Sequence, residues 1–243
     1  MLIDLHAHTS GISACCLAPA SDIVAVAKEI GLDGIVLTNH YDKSYVKNGD
    51  AEAFARAYTE EYRYTKRCGE AIGCAVLYGL EITMERYGGL HMLLYGVDEA
   101  FTIAHPTLYD LTQEELYRLA HEHGGLVIQP HPFRGGNRLQ DPAYLDGVEI
   151  NCHPEYGASY YDDVTAFAKE HKLILTCGGD YHADTYRAFC GVYVPNTVKD
   201  SRDLVTYLRT AEPITLCMQE PNQNDRYLVT YSRKDSTCHQ QLM

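Results

Sequence analysis

Met1-Leu2-Ile3-Asp4-Leu5-His6-Ala7-His8 reads as a short apolar strand that ends in two histidines spaced i, i+2. Successive side chains on a strand point to opposite faces, so His6 and His8 project the same way. Two imidazoles on one side of a strand end can hold one metal ion, and neutral imidazole is a ligand for zinc, iron and manganese. With 12 histidines in 243 residues, one H-x-H also fits an ordinary pair of core or surface histidines. Repetition of the same grammar along the chain is what gives the motif weight.

Four later segments repeat it. Ile35-Val36-Leu37-Thr38 runs into Asn39-His40, and Val76-Leu77-Tyr78-Gly79-Leu80 runs into Glu81. Leu126-Val127-Ile128-Gln129 runs into Pro130-His131, and Leu173-Ile174-Leu175-Thr176-Cys177-Gly178-Gly179 into Asp180-Tyr181-His182. Buried parallel strands that each deliver a His, Asp or Glu at their carboxyl ends describe the active-site face of an α/β barrel. His91 interrupts a further strand from Leu90 to Val97. The segment from Met84 to Gly89 is short enough for a turn, so Glu81 and His91 can face each other.

Between the strands the helices announce themselves. Pro19 opens one in which Ile23, Val26, Ala27 and Ile30 share a face, and Gly31 closes it. Ala51 to Ile72 is a long helix with Phe54, Tyr58 and Tyr62 on one side, stopped by Gly73. Thr112-Gln113-Glu114-Glu115 is a capping box for a helix from Gln113 to His123, with Leu111 and Leu116 placed as a staple. Val164, Phe167, Ala168 and His171 mark another helix after the strand Gly147 to Asn151, and further elements are expected near Cys190, Leu204, Ile214 and Tyr227. Residues 1–231 read as one domain, with 232–243 a polar tail expected to fray.

Composition narrows the function. An apolar fraction of 46% supports a real core. No apolar run approaches the roughly 20 residues needed to span a bilayer, and the N-terminus lacks a basic segment followed by an apolar one, so a cytoplasmic protein without a membrane partner is expected. Nine scattered cysteines suggest neither a disulfide framework nor a C-x-x-C site. A net charge of −13 argues against a long nucleic-acid duplex as ligand, while a small anion held by metal ions remains open.

Taken together, His6, His8, His40, Glu81, His91, His131, Asp180 and His182 resemble, in order and spacing, the ligand set of the polymerase and histidinol phosphatase (PHP) family of metal-dependent phosphoesterases. The resemblance implies a single-domain α/β fold, a distorted seven-stranded (β/α) barrel, with two or three divalent ions (Zn, Mn or Fe) at the carboxyl ends of the strands. By analogy His6, His8, Glu81 and Asp180 would hold one ion, Glu81, His91 and His131 a second, and His40 with His182 a third. Two departures stand out. Asn39 occupies the place of a usual Asp, and the loop Thr9 to Ala14 offers no His or Asp to complete the third shell, so that Cys15 or Cys16 would have to bend inward or water would fill it.

The chemistry gives these residue types their own reason. A carboxylate such as Glu81 can bridge two cations that otherwise repel, and ions about 3.5–4 Å apart can share and activate a hydroxide and clamp both oxygens of an in-line displacement at phosphorus. The expected activity is therefore hydrolysis of a small phosphate ester, with Glu81, Asp180 and His153 as catalytic residues. Arg134 is placed to fork onto phosphate oxygens, and His153, in Cys152-His153-Pro154, to contact substrate or donate a proton. Two other classes stay in view: a non-catalytic metal-binding accessory protein, and a hydrolase of C–N bonds in a related barrel, where a lysine bridge would be expected and no lysine stands at a strand end. His105, His121, His123, His171 and His239 read as surface residues, and the 20 tyrosines as core and rim, with Tyr41, Tyr45 or Tyr181 available to line a cleft.

Overall fold

A computed structural model describes residues 1–134, 137–153, 156, 160–183, 189–219 and 224–243. Strand β1 (Leu2–Ala7) is buried along its whole length because it is flanked on both sides, by β2 (Gly34–Leu37) in parallel and by β9 (Gly191–Tyr193) antiparallel. Between β1 and β2 runs α1 (Ala20–Glu29), which starts directly after Pro19 and buries Ile23, Val26 and Ala27. Then come β3 (His40–Tyr41), α2 (Ala51–Ile72) and β4 (Ala75–Met84). The Asp50 carboxylate accepts from the Ala53 amide at 2.9 Å, a cap that contributes about 1 kcal/mol. Gly73, at φ 69°, ends the helix in the left-handed conformation. Phe54, Tyr58 and Tyr62 form the buried face of α2, and the Tyr58 hydroxyl donates to the carbonyls of Asn39 and Gly79 at 2.8 and 3.0 Å, tying the helix to the two strands that carry His40 and Glu81.

The second half holds β5 (Leu90–Tyr95), α3 (Glu99–Ala104), α4 (Gln113–Glu122), β6 (Leu126–Gln129), β7 (Gly147–Asn151), α5 (Tyr160–His171) and β8 (Ile174–Gly178). The capping box is formed as expected, with Thr112 and Glu115 each satisfying the other's amide. After β9 follow α6 (Ser201–Thr210), β10 (Ile214–Gln219), β11 (Arg226–Ser232) and β12 (Thr237–Leu242). The last strand corrects the expected frayed tail: Thr237 to Leu242 pairs antiparallel with β11, from Ser232 opposite Thr237 to Tyr227 opposite Leu242. It is polar because it is the sheet's edge, where exposed side chains are the norm. Among the described residues no helix is long and apolar enough to cross a membrane.

The expected distorted seven-stranded (β/α) barrel is not what forms. The strands make one mixed sheet curled into a half-barrel, in the order β12-β11-β10-β9-β1-β2-β4-β5-β6-β7-β8, with β3 paired to β4 off that path. Two features of the chain explain the difference. Only residues 85–89 join β4 to β5, and a parallel pair needs a crossover of a dozen or more residues, so these strands pair as an antiparallel hairpin. The C-terminal strands then stack as an antiparallel run against β1, where a barrel would place its last strand. The end of β8 still reaches β1, but through an isolated bridge between Ala7 and Tyr181 and the bond from the Asp180 amide to the His6 carbonyl at 2.8 Å.

That approach depends on glycine. A Cβ on Gly178 would lie 2.5 Å from the His6 Cβ and 2.6 Å from Glu149 Oε2, so only glycine lets this strand end close on β1. The curl gathers the carboxyl ends of β1, β6 and β8 and the start of β3 around the carboxylate-bearing middle of β4. It brings in the amino end of β5 as well, since β5 runs the opposite way.

Candidate metal centre

The eight ligand-type side chains reach the centre from six strands or their ends, β1, β3, β4, β5, β6 and β8. His6 lies in β1 and His8 just past its end; His40 opens β3, where its register partner across the ladder is Glu81 of β4. His91 pairs with Thr83, which puts it diagonal to Glu81 on the antiparallel neighbour, within reach of a long side chain. His131 follows β6, and Asp180 and His182 follow β8. His131 and Asp180 sit at φ 31° and 53°, a region that non-glycine residues rarely occupy and that recurs where function dictates geometry.

The Glu81 carboxylate, wholly buried, is the hub. Its Oε1 lies 2.9 Å from His91 Nδ1, 3.0 Å from His131 Nε2 and 3.3 Å from His6 Nε2. Its Oε2 lies 2.8 Å from His40 Nδ1 and 3.4 Å from His8 Nε2. Asp180 Oδ1 stands 3.0 Å from His8 Nε2, 3.4 Å from His6 Nε2 and 3.3 Å from His182 Nδ1. Donor atoms fall into three sets close enough to share an ion: His6, His8, Glu81 and Asp180; His40, Glu81 and His91; and His8, His40 and His182. The first matches the set expected by analogy. The second differs by admitting His40, while His131 approaches the same Glu81 oxygen as His91. In the third, His8 joins His40 and His182, and Cys15 arrives beside them: burial pushes its thiol up, but His182 and His40 outweigh that and lower it to about 6. Cys16 instead turns inward, its thiol donating to the Ala18 carbonyl at 3.5 Å.

The electrostatics divide the histidines into two kinds. Burial disfavours charge on His6, but Glu149, Asp180 and Glu81 outweigh it and hold the ring well above its ordinary pKa. Burial likewise opposes charge on His40, and Glu81 overrides it to raise the group to about 10. His8, by contrast, is lowered well below its ordinary value by burial and by the neighbouring His182 and His40. Burial also lowers His131, to about 4. Burial resists ionisation of Glu81, yet His91, His40 and His6 keep it anionic, and His6 and Arg134 do the same for Asp180. So many charges gathered in a buried place call for a compensating cation.

The donor set fits one. His6 Nε2 is buried and has no hydrogen-bond partner among the described residues, although it faces both Glu81 and Asp180. The far sides of the rings are already held, as metal-ligating histidines require. Glu149 Oε2 lies 3.0 Å from His6 Nδ1, and Ser13 Oγ lies 3.1 Å from His8 Nδ1. Asn39 explains its own departure from an acid: Oδ1 accepts from the Thr9 amide at 2.7 Å and from the Ser13 hydroxyl at 2.9 Å, and Nδ2 donates to Thr9 Oγ1 at 2.9 Å. It shapes the loop that positions Ser13, which in turn accepts from the His40 amide at 3.0 Å.

Sequence reasoning missed Glu149, Ser13 and Asp4. Glu149 occupies a strand interior, where a lone buried acid in Gly147-Val148-Glu149-Ile150-Asn151 was itself a signal. Asp4 is buried two residues before His6 and accepts from the amides of His6 and Gly179. Arg134 does reach the site, where its guanidinium pairs with Asp180 Oδ2. His153 stands at the rim, its ring centroid 6.1 Å from that of His182, while its neighbours Pro154 and Glu155 and the Gly135-Gly136 pair lie outside the described residues. Of the tyrosines proposed for the cleft, Tyr41 and Tyr181 are buried in the core. Tyr45 alone lines an open cavity of about 540 Å³, next to the loop that carries Cys15.

No family model matches the sequence, and no curated protein matches it. Solved structures do. PsfC from Pseudomonas syringae PB-5123 superposes with a TM-score of 0.64 at 19% identity, covering 84% of this chain and 87% of that one. A protein from Bifidobacterium adolescentis, provisionally named a metal-dependent phosphoesterase, matches at 0.55 and 16% identity, over 85% of this chain and 95% of its own. An amidohydrolase from Chromobacterium violaceum, solved with sulfate and no metal, matches at 0.55 and 13%, over 86% and 97%. At these identities the likeness establishes a shared fold.

Proposed function

We propose that the protein is a metal-dependent phosphoesterase of the PHP kind, acting on a small phosphorylated substrate. The observation that carries this reading is the convergence of five histidine nitrogens on the single buried carboxylate of Glu81, with Asp180 beside it. His6, His8, Glu81 and Asp180 would hold one divalent ion, Glu81 with His91, His131 and His40 a second, and His8, His40 and His182, with Cys15 at hand, a third. Adjacent divalent ions would supply a water of lowered pKa and charge neutralisation for an in-line displacement at phosphorus.

The protein's own groups do the rest. Arg134, paired with Asp180 here, would fork onto substrate oxygens. His153 at the rim would hand a proton to the departing oxygen. The cavity beside the Cys15 loop, lined in part by Ser10, Ser44, Tyr45 and Lys47, has room for the body of a small ester. The amidohydrolase neighbour favours one second reading, hydrolysis of a C–N bond. Against it stands the absence of any lysine among the ion-pair partners of Glu81 and Asp180 in the described residues.

Protein loaded in turn with manganese, iron and zinc should be offered a panel of phosphate monoesters, diesters and amides. Metal-dependent release of phosphate or of an alcohol from a phosphodiester supports the proposal. Turnover confined to the amides overturns it in favour of C–N chemistry, and no turnover by metal-replete protein assigns the chain to a non-catalytic, accessory role.

A further inference from the structure

Behind the Glu81 centre lies a second cluster that hydrolysis does not use. Cys152 follows β7, Cys177 lies in β8 and Cys190 precedes β9; all three are fully buried, and their sulfurs lie within 4.8 Å of one another. The Cys152 and Cys177 sulfurs are 3.6 Å apart, and Asp4 Oδ2 of β1 lies 3.6 Å from the Cys190 sulfur. Two thiolates sharing a tetrahedral zinc at about 2.3 Å each stand about 3.8 Å apart. The Cys152–Cys177 edge already has the length found in a tetrahedral thiolate site, and the third sulfur is within 4.8 Å of both.

We infer that Cys152, Cys177 and Cys190, with Asp4 as fourth donor, form a structural site for one thiophilic divalent cation, zinc above all. Cysteine is at home in a core as a small apolar residue, and one or two here would need no other explanation. Three from three separate segments, pointing at one another beside a buried carboxylate, do. A disulfide would use two of the thiols, leave the third without a role and require an oxidant to reach a fully buried place. A cation uses all four donors and needs no change of oxidation state; the thiols simply give up protons as it binds.

The position supplies a reason for such a site. Among the described residues no ladder joins β8 to β1; the link is the bridge at Ala7 and Tyr181 with the backbone bonds beside it, Asp180 amide to His6 carbonyl and His8 amide to Tyr181 carbonyl. An ion held by Asp4 of β1, Cys152 beyond β7, Cys177 of β8 and Cys190 before β9 would cross-link the strands where the sheet itself fails to join. Asp4 also accepts from the amides of His6 and Gly179, so the clamp would steady the backbone that presents His6 and Asp180.

Because the site is sealed, the metal has to enter as the chain folds, so the test uses full-length protein produced in cobalt-supplemented medium. The Cys15→Ser variant serves as background, to remove the one thiol near the Glu81 centre. An intense sulfur-to-cobalt charge-transfer band in this protein, lost together with one metal equivalent when Cys190→Ser is added, is the expected result. Absence of the band in the Cys15→Ser protein, or a Cys152–Cys177 disulfide found by mass spectrometry of the unfolded chain, would overturn the inference. Both of those outcomes are read on the Cys15→Ser protein alone, so a Cys190→Ser variant that failed to fold would not shield the inference from them. The readout is spectroscopic and stoichiometric, and it stands apart from whether the protein hydrolyses phosphate esters.

Discussion

At the scale of single residues, the site depends on side chains that hold the ligands as much as on the ligands themselves. Glu149 fixes the His6 ring by its Nδ1 and so aims Nε2 at Glu81. Glu149→Gln should leave the fold intact and weaken metal binding roughly 10- to 100-fold, as loss of such outer partners does, which a chelator-competition titration would show. His6 also sets a pH dependence. Burial opposes its charge, but Glu149, Asp180 and Glu81 raise its pKa well above the usual value, so metal-free protein keeps this ring protonated at neutral pH. A ligand nitrogen must be deprotonated to bind, so loading expels that proton, and affinity should rise with pH until His6 is neutral without help. Calorimetry in buffers of different ionisation enthalpy will register the proton; a binding heat that does not vary with the buffer would contradict it. Arg134→Ala should lower kcat/KM by about 1.5–3 kcal/mol, the cost of a lost hydrogen bond to a charged group, with metal content unchanged. Steady-state kinetics alongside elemental analysis separates this from simple loss of the ions.

At the scale of elements, the strand ends were legible and their closure was not. An apolar run stopping at His, Glu or Asp is visible in the sequence because buried strands are continuous hydrophobic stretches and a polar residue at the end has few other uses. The C-terminal stop of α2 at Gly73 and the capping box of α4 were legible for the same local reason. Pairing direction is a long-range property: the five residues between β4 and β5 dictate a hairpin, but the antiparallel run of β9 to β12 against β1 follows from no local signal. Ser13 and Asp4 escaped because each looks ordinary in its own segment, and Glu149, though an acid inside an apolar strand, acquires its meaning only from a partner elsewhere in the chain, His6 across 143 residues. The Gly178 approach is the element-scale test. Gly178→Ala drives a methyl group against His6 and Glu149 and should cost about 1–3 kcal/mol of stability, read from denaturant midpoints, while loosening the metals. A variant of unchanged stability and metal content would show that the end of β8 does not need to close on β1.

At the scale of the whole molecule, one curled sheet collects donors from β1, β3, β4, β5 and the segments after β6 and β8 around one carboxylate. A set of charges drawn from so many strands couples metal binding to the fold, so removing the ions should lower the thermal midpoint and readdition restore it, by mass action on the native state. On the proposed function, the cavity beside the Cys15 loop is the approach for a small ester. All of this turns on Glu81 holding two cations together. The decisive measurement is elemental analysis of the wild-type protein and of Glu81→Gln, which keeps the shape and removes the charge. Wild-type protein should carry at least two ions at the centre, and Glu81→Gln, still folded, should lose at least one of them along with nearly all turnover. A Glu81→Gln protein with the full wild-type metal complement and undiminished turnover would contradict the bridging role.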